Sequence, residues 1–473
     1  MDETYIKNIL TILGVSRNQN FKNIDEMRHY LKIRLYNCKA EVLELIGKWA
    51  SAQDIYYENL KLAQENRNKE FVAECKNKIG MLLYKQGFYN KSLFLLRSAF
   101  NTYFNARNKE KIGDTFHNLG IVYLFKGDYH KALHYFNMEL KIFNSLHHKR
   151  GICRAVAKIG VVYYFLGIYD KALAAFRRSL KIARELDEKS MIGSNLLNIG
   201  TIYYYQQKYE KALRYYEQDL LISEQIGDKQ GTGITNGNLG MVYFSLGNYD
   251  MALQYYMKDL AISRDLQDRY GISNASGNIG IVYSEMGEFS KALEYYKTKL
   301  RICKNIGDKS GVAQANGYIG DLYKMQNLPG KAIKFYDRAI AIGKRSQQRY
   351  YLCDWLHSQA YVHYELGEIQ KSRVLNKEAL KIATKINRDD IIFFSRLLES
   401  KIILSGYRKK GVMRMLGLLK EYKQDEKRAL LHYEIFKATN AKSHSRMALS
   451  LYQRLFKKVP SFQYKQKIEE LRG

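Results

Sequence analysis

The sequence predicts an all-α solenoid of about ten to eleven helix-turn-helix units with a helical cap at each end. Three observations predict it: a 40-residue period, helical spacing of the apolar residues inside each period, and only 2 prolines in 473 residues. Glycine recurs at Gly80, Gly120, Gly160, Gly200, Gly240, Gly280 and Gly320, and a second glycine column runs through Gly47, Gly87, Gly127, Gly167, Gly247, Gly287 and Gly367. Small residues hold a third column from Ala52 through Ala132, Ala212 and Ala292 to Ser372, and aromatics a fourth from Tyr56 through Phe136 and Tyr216 to Tyr336. A period of this length marks stacked supersecondary units, none of which can bury its apolar face alone.

Each unit reads as two helices. In the unit from Asp228, the aspartate caps a first helix by accepting a free first-turn N–H. Leu239, Val242, Tyr243 and Leu246 repeat at helical spacing. Gly247 supplies the backbone freedom that ends this helix. Ala252, Leu253, Tyr256 and Leu260 then form the stripe of a second helix. The recurring Gly240 opposite Ala252 predicts closely approaching helix axes, with Tyr243 and Tyr256 beside them.

These residues carry a resemblance. Asn238-Leu239-Gly240, Tyr243, Leu246-Gly247, Tyr249, Ala252-Leu253, Tyr255-Tyr256, Leu260 and Ile262, with a terminal Pro460, resemble the tetratricopeptide (TPR) repeat. The unit is 40 residues and not the usual 34. It is similar to the long repeats of the Leu-Gly-Asn spindle adaptor, kinesin light chains and bacterial TPR sensor scaffolds, and covers about residues 33–462. The resemblance implies a right-handed solenoid whose first helices line a concave surface that holds a partner.

On that implication the lining residues sit two before the recurring glycine and one, four and five after it. They include Asn118, Lys158, Asn198, Asn238 and Asn278, with Tyr164, Phe165, Tyr204, Tyr205 and Phe244. An asparagine amide both donates and accepts, so a ladder of them can grip an extended peptide backbone. Aromatic side chains give anchor area at low entropic cost. Gly237, Gly277 and Gly317 add helix-interior glycines, each costing about 1 kcal/mol relative to alanine. Their presence implies close approach by a neighbouring helix or a ligand.

The ends depart from the period. Residues 1–32 read as a helical cap, with one stretch at Tyr5–Leu13 and another starting near Asp25; residues 33–392 read as the array in register. Residues 393–473 read as degenerate terminal repeats and a basic cap. The formal net charge is +30, and from Arg408 onward 17 Lys and Arg face 6 acids. Arg408, Lys409, Lys410 and Arg414, with Arg454, Lys457 and Lys458, form a basic patch that could meet acidic or phosphate-rich material. The column from Lys91 through Lys131 and Lys211 to Lys371 reads as an outer, solvated face.

The five scattered cysteines read as small buried residues in a reducing compartment. The acid-bearing N-terminus and the lack of a long apolar run argue against a signal peptide or a membrane span, so a cytoplasmic location is expected. His130 and His134 share a helical spacing but no third ligand joins them, and GDKSG at 307–311 lacks the phosphate-loop pattern. No cofactor or enzyme activity is expected. The reading is a non-catalytic scaffold or adaptor for a protein or peptide; the alternatives are a nucleic-acid-associated subunit using the basic surfaces, or a peptide-sensing switch.

Overall fold

The computed structural model describes residues 24–45, 48–346 and 348–472. The expected stretch Tyr5–Leu13 and Gly47 lie outside the described residues. Among these residues the chain is an α-solenoid: eleven consecutive helix pairs, from Ile24–Leu45 with Trp49–Glu65 to Asp425–Thr439 with Lys442–Lys458, then a last helix Phe462–Arg472. The first helix runs through residues 32 and 33, so pairing begins earlier than the expected start of the array. No helix among the described residues is long and apolar enough to cross a membrane.

The period has a local cause. Every helix from Trp49–Glu65 to Ile369–Lys385 spans 17 residues, and a three-residue turn separates each from the next. At Gly167, φ is +72°. Its N–H donates to the Tyr164 carbonyl and the Ile168 N–H to the Tyr163 carbonyl, both at 2.9 Å. This double bond pattern closes the helix end. The column lacks glycine at Gln207 and Asn327, yet both adopt the same left-handed backbone, at φ 58° and 56°. Side-chain caps start several helices: Asn108 accepts from the Lys111 N–H at 3.1 Å and Asp228 from the Gly231 N–H at 2.8 Å. Past Lys385 the next three helices have 16, 14 and 15 residues.

The recurring glycine faces the aromatic column directly, where alanine was expected. A Cβ on Gly120 would lie 2.6 Å from the Phe136 ring, and one on Gly240 2.8 Å from Tyr256. The alanine column is buried beside this contact. Tyr243 instead stacks on Tyr255, at 5.4 Å between ring centres. The equivalent Tyr123, Tyr163, Tyr203, Tyr283 and Tyr323 each carry a column lysine over the ring; Lys131 and Lys291 do so at 5.4 Å. The outer lysines are therefore exposed ammonium groups resting on aromatic faces. Of the cysteines, Cys75, Cys153, Cys303 and Cys353 are buried and Cys38 is exposed.

The chain divides into two compact units, residues 1–202 and 203–473. The core of the first runs from Ala73 through Leu96, Phe116 and Phe136 to Val162. The second holds successive clusters, among them one around Tyr249, Tyr256 and Ile279 and one around Tyr336, Leu352 and Trp355. Within this second unit the link before the last helix packs back on much earlier turns. The Ser461 hydroxyl donates to Glu285 at 2.8 Å, and Phe462 meets Phe289 edge-on at 5.3 Å. Pro460 and Val459 sit so close to Gly247 that a Cβ there would be 2.7 Å from each.

Candidate functional site

In residues 1–202 the first helices and their partners line an open pocket of about 410 Å³. Its carboxylates are already matched. Lys78 pairs with Glu41, Lys85 with Glu44 at 2.6 Å, and Arg34 with Glu74 at 3.3 Å. Arg154 donates to Asp114 and to Glu139, each at 2.8 Å, and His117 lies 3.0 Å from the other Glu139 oxygen. Glu139 is wholly buried. Burial opposes the Arg154 charge, but Glu139 and Asp114 together raise its pKa. Lining groups uncommitted among the described residues include the Lys111 ammonium and the hydroxyl of the otherwise buried Tyr103. Burial pushes the Tyr103 phenol up and keeps it a proton donor.

The asparagine column splits. Asn118 lines this cavity and donates to the Asn77 carbonyl oxygen at 2.8 Å, so it serves a neighbouring helix. Asn198 donates to the Ser194 carbonyl of its own helix at 2.8 Å. Asn238 and Asn278 are half-buried, and neither amide has a partner among the described residues. Lys158 is half-buried and forms no ion pair there; burial lowers its pKa.

The aromatic positions also differ. Phe165 is 52% exposed and stacks on Tyr129 at 5.7 Å, while Tyr164 packs edge-on against it. Tyr205 is half-exposed, whereas the Tyr204 hydroxyl meets Ser245 at 3.1 Å. Phe244 packs on Tyr249, beside the returning Val459. The extra glycines admit neighbouring side chains: Asp259 approaches Gly237, Lys299 approaches Gly277 and the Trp355 indole fills the space at Gly317.

A column on the second helices, through Asn59, Ala99, Glu139, Ser179, Asp219, Asp259, Lys299 and Ala339, buried except at the half-buried Asp259, carries much of the chemistry and was missed in the sequence. In residues 203–473, Asp219 is 3% exposed and accepts from Thr235, Asp259 accepts from Ser263 at 3.3 Å, and Lys299 is 4% exposed and donates to Asn274 at 3.4 Å. None of the three forms an ion pair among the described residues. Burial pushes both carboxylates up to about 6 and lowers the lysine. The available signal was a charged residue at a position that holds alanine in other units.

In the basic patch, Arg408 donates to the Ala438 carbonyl at 2.9 and 2.7 Å, Arg414 pairs with Glu399 at 3.0 Å and Arg454 with Asp425 at 2.6 Å. Lys409, Lys410, Lys457 and Lys458 are exposed and unpaired among the described residues. No group of three His, Cys, Asp or Glu there is placed to hold a metal ion.

Stacked 17-residue helix pairs in a 40-residue period define a helical-repeat protein. The tetratricopeptide repeat model matches residues 76–145, 111–185, 191–265 and 271–345, together more than half of the sequence. The chain belongs to the tetratricopeptide-repeat family. Among solved structures, the signal-transduction ATPase with numerous domains and a tetratricopeptide repeat sensor from Pyrococcus horikoshii is 16% identical, with TM-score 0.51 over 79% of this chain and 54% of that one. A Rap protein complexed with competence and sporulation factor is 13% identical, with TM-score 0.50 over 76% of this chain and 99% of that one. These likenesses are of fold. No curated protein sequence matches the chain closely enough to count as a relative.

Proposed function

We propose that this chain is a non-catalytic scaffold that holds a protein or peptide segment against the first helices of its repeats. The observation that carries the reading is a set of polar groups on that face left without partners among the described residues. The amides of Asn238 and Asn278 and the Lys111 ammonium are free on the first helices, and the Tyr103 hydroxyl reaches the cavity from a second helix. The two amides and the ammonium keep a solvent-facing side and have no partner among the described residues, so they are placed to pair with an external backbone. The Rap protein named above was crystallised with a bound factor, which agrees with this reading. The test is affinity capture from native lysate, with nuclease added to half the sample. Retained proteins should be the same in both halves, and an Asn238→Ala/Asn278→Ala variant with unchanged melting should lose them. Equal capture by the variant would defeat the assignment of these amides.

A second reading rests on Lys409, Lys410, Lys457 and Lys458, whose ammonium groups stand free on the surface. Nucleic acid bound there would show a steep loss of affinity with salt, through counterion release. Loss of captured material on nuclease treatment would favour it.

A further inference from the structure

We propose that two neighbouring repeats bind a partner segment bearing a cationic group and a carboxylate about three residues apart, with the cation at Asp259 behind Gly237 and the carboxylate at Lys299 behind Gly277. The inference rests on the scaffold reading and names the chemistry of its ligand. At the position three before the recurring glycine, earlier units carry Asn77, His117, Ala157 and Leu197, whereas these units carry glycine. A Cβ on Gly237 would lie 3.1 Å from an Asp259 carboxylate oxygen. One on Gly277 would lie 3.0 Å from Lys299 Cδ and 3.5 Å from Nζ. Each glycine therefore opens a notch through which a second-helix charge reaches the first-helix face. At Gly317 the notch is closed by the Trp355 indole.

Neither charge forms an ion pair among the described residues, although Asp308 acts on Lys299 from further off. Asp259 has only the Ser263 hydroxyl, and Lys299 only a 3.4 Å bond to Asn274. Lys299 is 4% exposed and Asp259 half-buried, and a charge withdrawn from water without an ion partner is unfavourable. The two are opposite in sign, one unit apart, and each lies beside a free amide, Asn238 or Asn278. An occupant with the complementary pair of charges satisfies both, while the amides donate to and accept from its backbone. Helices in direct contact lie about 8–10 Å apart, which sets the least step from one unit's first helix to the next. An extended chain advances about 3.4 Å per residue, so at that step the two charged groups fall about three residues apart. A polyanion does not fit, because each phosphate near Asp259 would be repelled.

A displayed library of random peptides panned on the full chain tests this. Wild type should enrich peptides with Lys or Arg separated by about three residues from Asp or Glu. Synthesised winners should bind Asp259→Asn and Lys299→Met about tenfold more weakly. An Asp259→Lys/Lys299→Asp exchange variant should select the reversed order of charges; if it does not fold, the two neutral variants carry the test. Enriched peptides without such a pair, or unchanged affinity in both neutral variants, would overturn this inference and leave the scaffold reading standing. No enrichment on wild type would overturn both.

Discussion

The same buried column is charged in both parts of the chain, but only residues 24–202 neutralise it. Glu139 is held between Arg154 and His117, and Arg154 reaches on to Asp114. In residues 203–473, Asp219, Asp259 and Lys299 occupy equivalent places with hydroxyl or amide partners alone. The difference comes from the next unit's first helix. Arg154 lies six residues before its recurring glycine; the matching positions facing Asp219, Asp259 and Lys299 are Ile234, Asn274 and Gln314. One position per repeat thus separates a charge that is ion-paired within the fold from one that has only hydroxyl or amide partners.

Removing the counter-charge in the first region should have the largest effect. Arg154→Ala strands Glu139, which is wholly buried, and frees Asp114. Breaking such a network commonly costs about 3–5 kcal/mol. Hydrogen exchange localised to helices Lys109–Phe125 through Tyr169–Glu185 should report the loss, and a change below about 1 kcal/mol would put Glu139 in the same class as Asp259.

The next effect belongs to the second region and depends on pH. Burial raises Asp219 and Asp259 to about 6, above the unfolded value of about 3.9. Between those values the folded state holds more protons, so its stability falls as pH rises. The contribution is fully present below about pH 4 and is lost as pH climbs through 6. Protection of helices Tyr209–Gln225 through Tyr249–Asp265 should therefore increase by about 2 kcal/mol from pH 7 to pH 5. Asp219→Asn/Asp259→Asn should flatten most of that slope. Asp354, also raised to about 6 by burial despite Arg388, retains its own share. In the first region Asp128 is shifted the other way, lowered by its bond from Lys131. An equal rise across both regions would dissolve the contrast.

Neutralising the lone lysine should separate stability from binding. Lys299→Met keeps most of the side-chain volume and removes a buried charge that has no ion pair among the described residues, with only the more distant Asp308 acting on it. The free protein should gain about 1–2 kcal/mol in urea unfolding while losing affinity for charge-paired peptides. Loss of stability would mean that Lys299 serves the fold through Asn274, as Arg154 does through Glu139.

Much of the fold was readable because each column has one steric task that every unit repeats. Gly120 exists to receive the Phe136 ring, and Ala132 to stay small beside it. The candidate site was less readable because its residues depend on what stands across from them. Asn118 and Asn238 share a column, yet Asn77 takes up the first amide and nothing among the described residues takes up the second. Arg408 sits in a basic run but closes a helix end at Ala438. The contact between Ser461 and Glu285 joins residues 176 apart in sequence, which nearest-neighbour repetition cannot encode.

The turns offer the smallest and most local comparison. Gly127 in the first region and Gln207 in the second hold the same left-handed backbone, at φ 80° and 58°. Both ends are closed by the same pair of bonds: the Gln207 N–H donates to Tyr204 at 2.8 Å and the Lys208 N–H to Tyr203 at 2.9 Å. A side chain at this φ crowds the following carbonyl, by about 1 kcal/mol. Gln207→Gly should recover somewhat less, about 0.5 kcal/mol, because glycine also gains freedom in the unfolded chain. Gly127→Ala should cost about 1 kcal/mol from backbone conformation alone, since nothing lies within 4 Å of the new methyl. Opposite signs for the two substitutions in matched thermal melts would show that the turn is imposed by helix length and bonding, with glycine only lowering its strain. If Gln207→Gly were destabilising instead, the glutamine side chain would have to hold that turn itself.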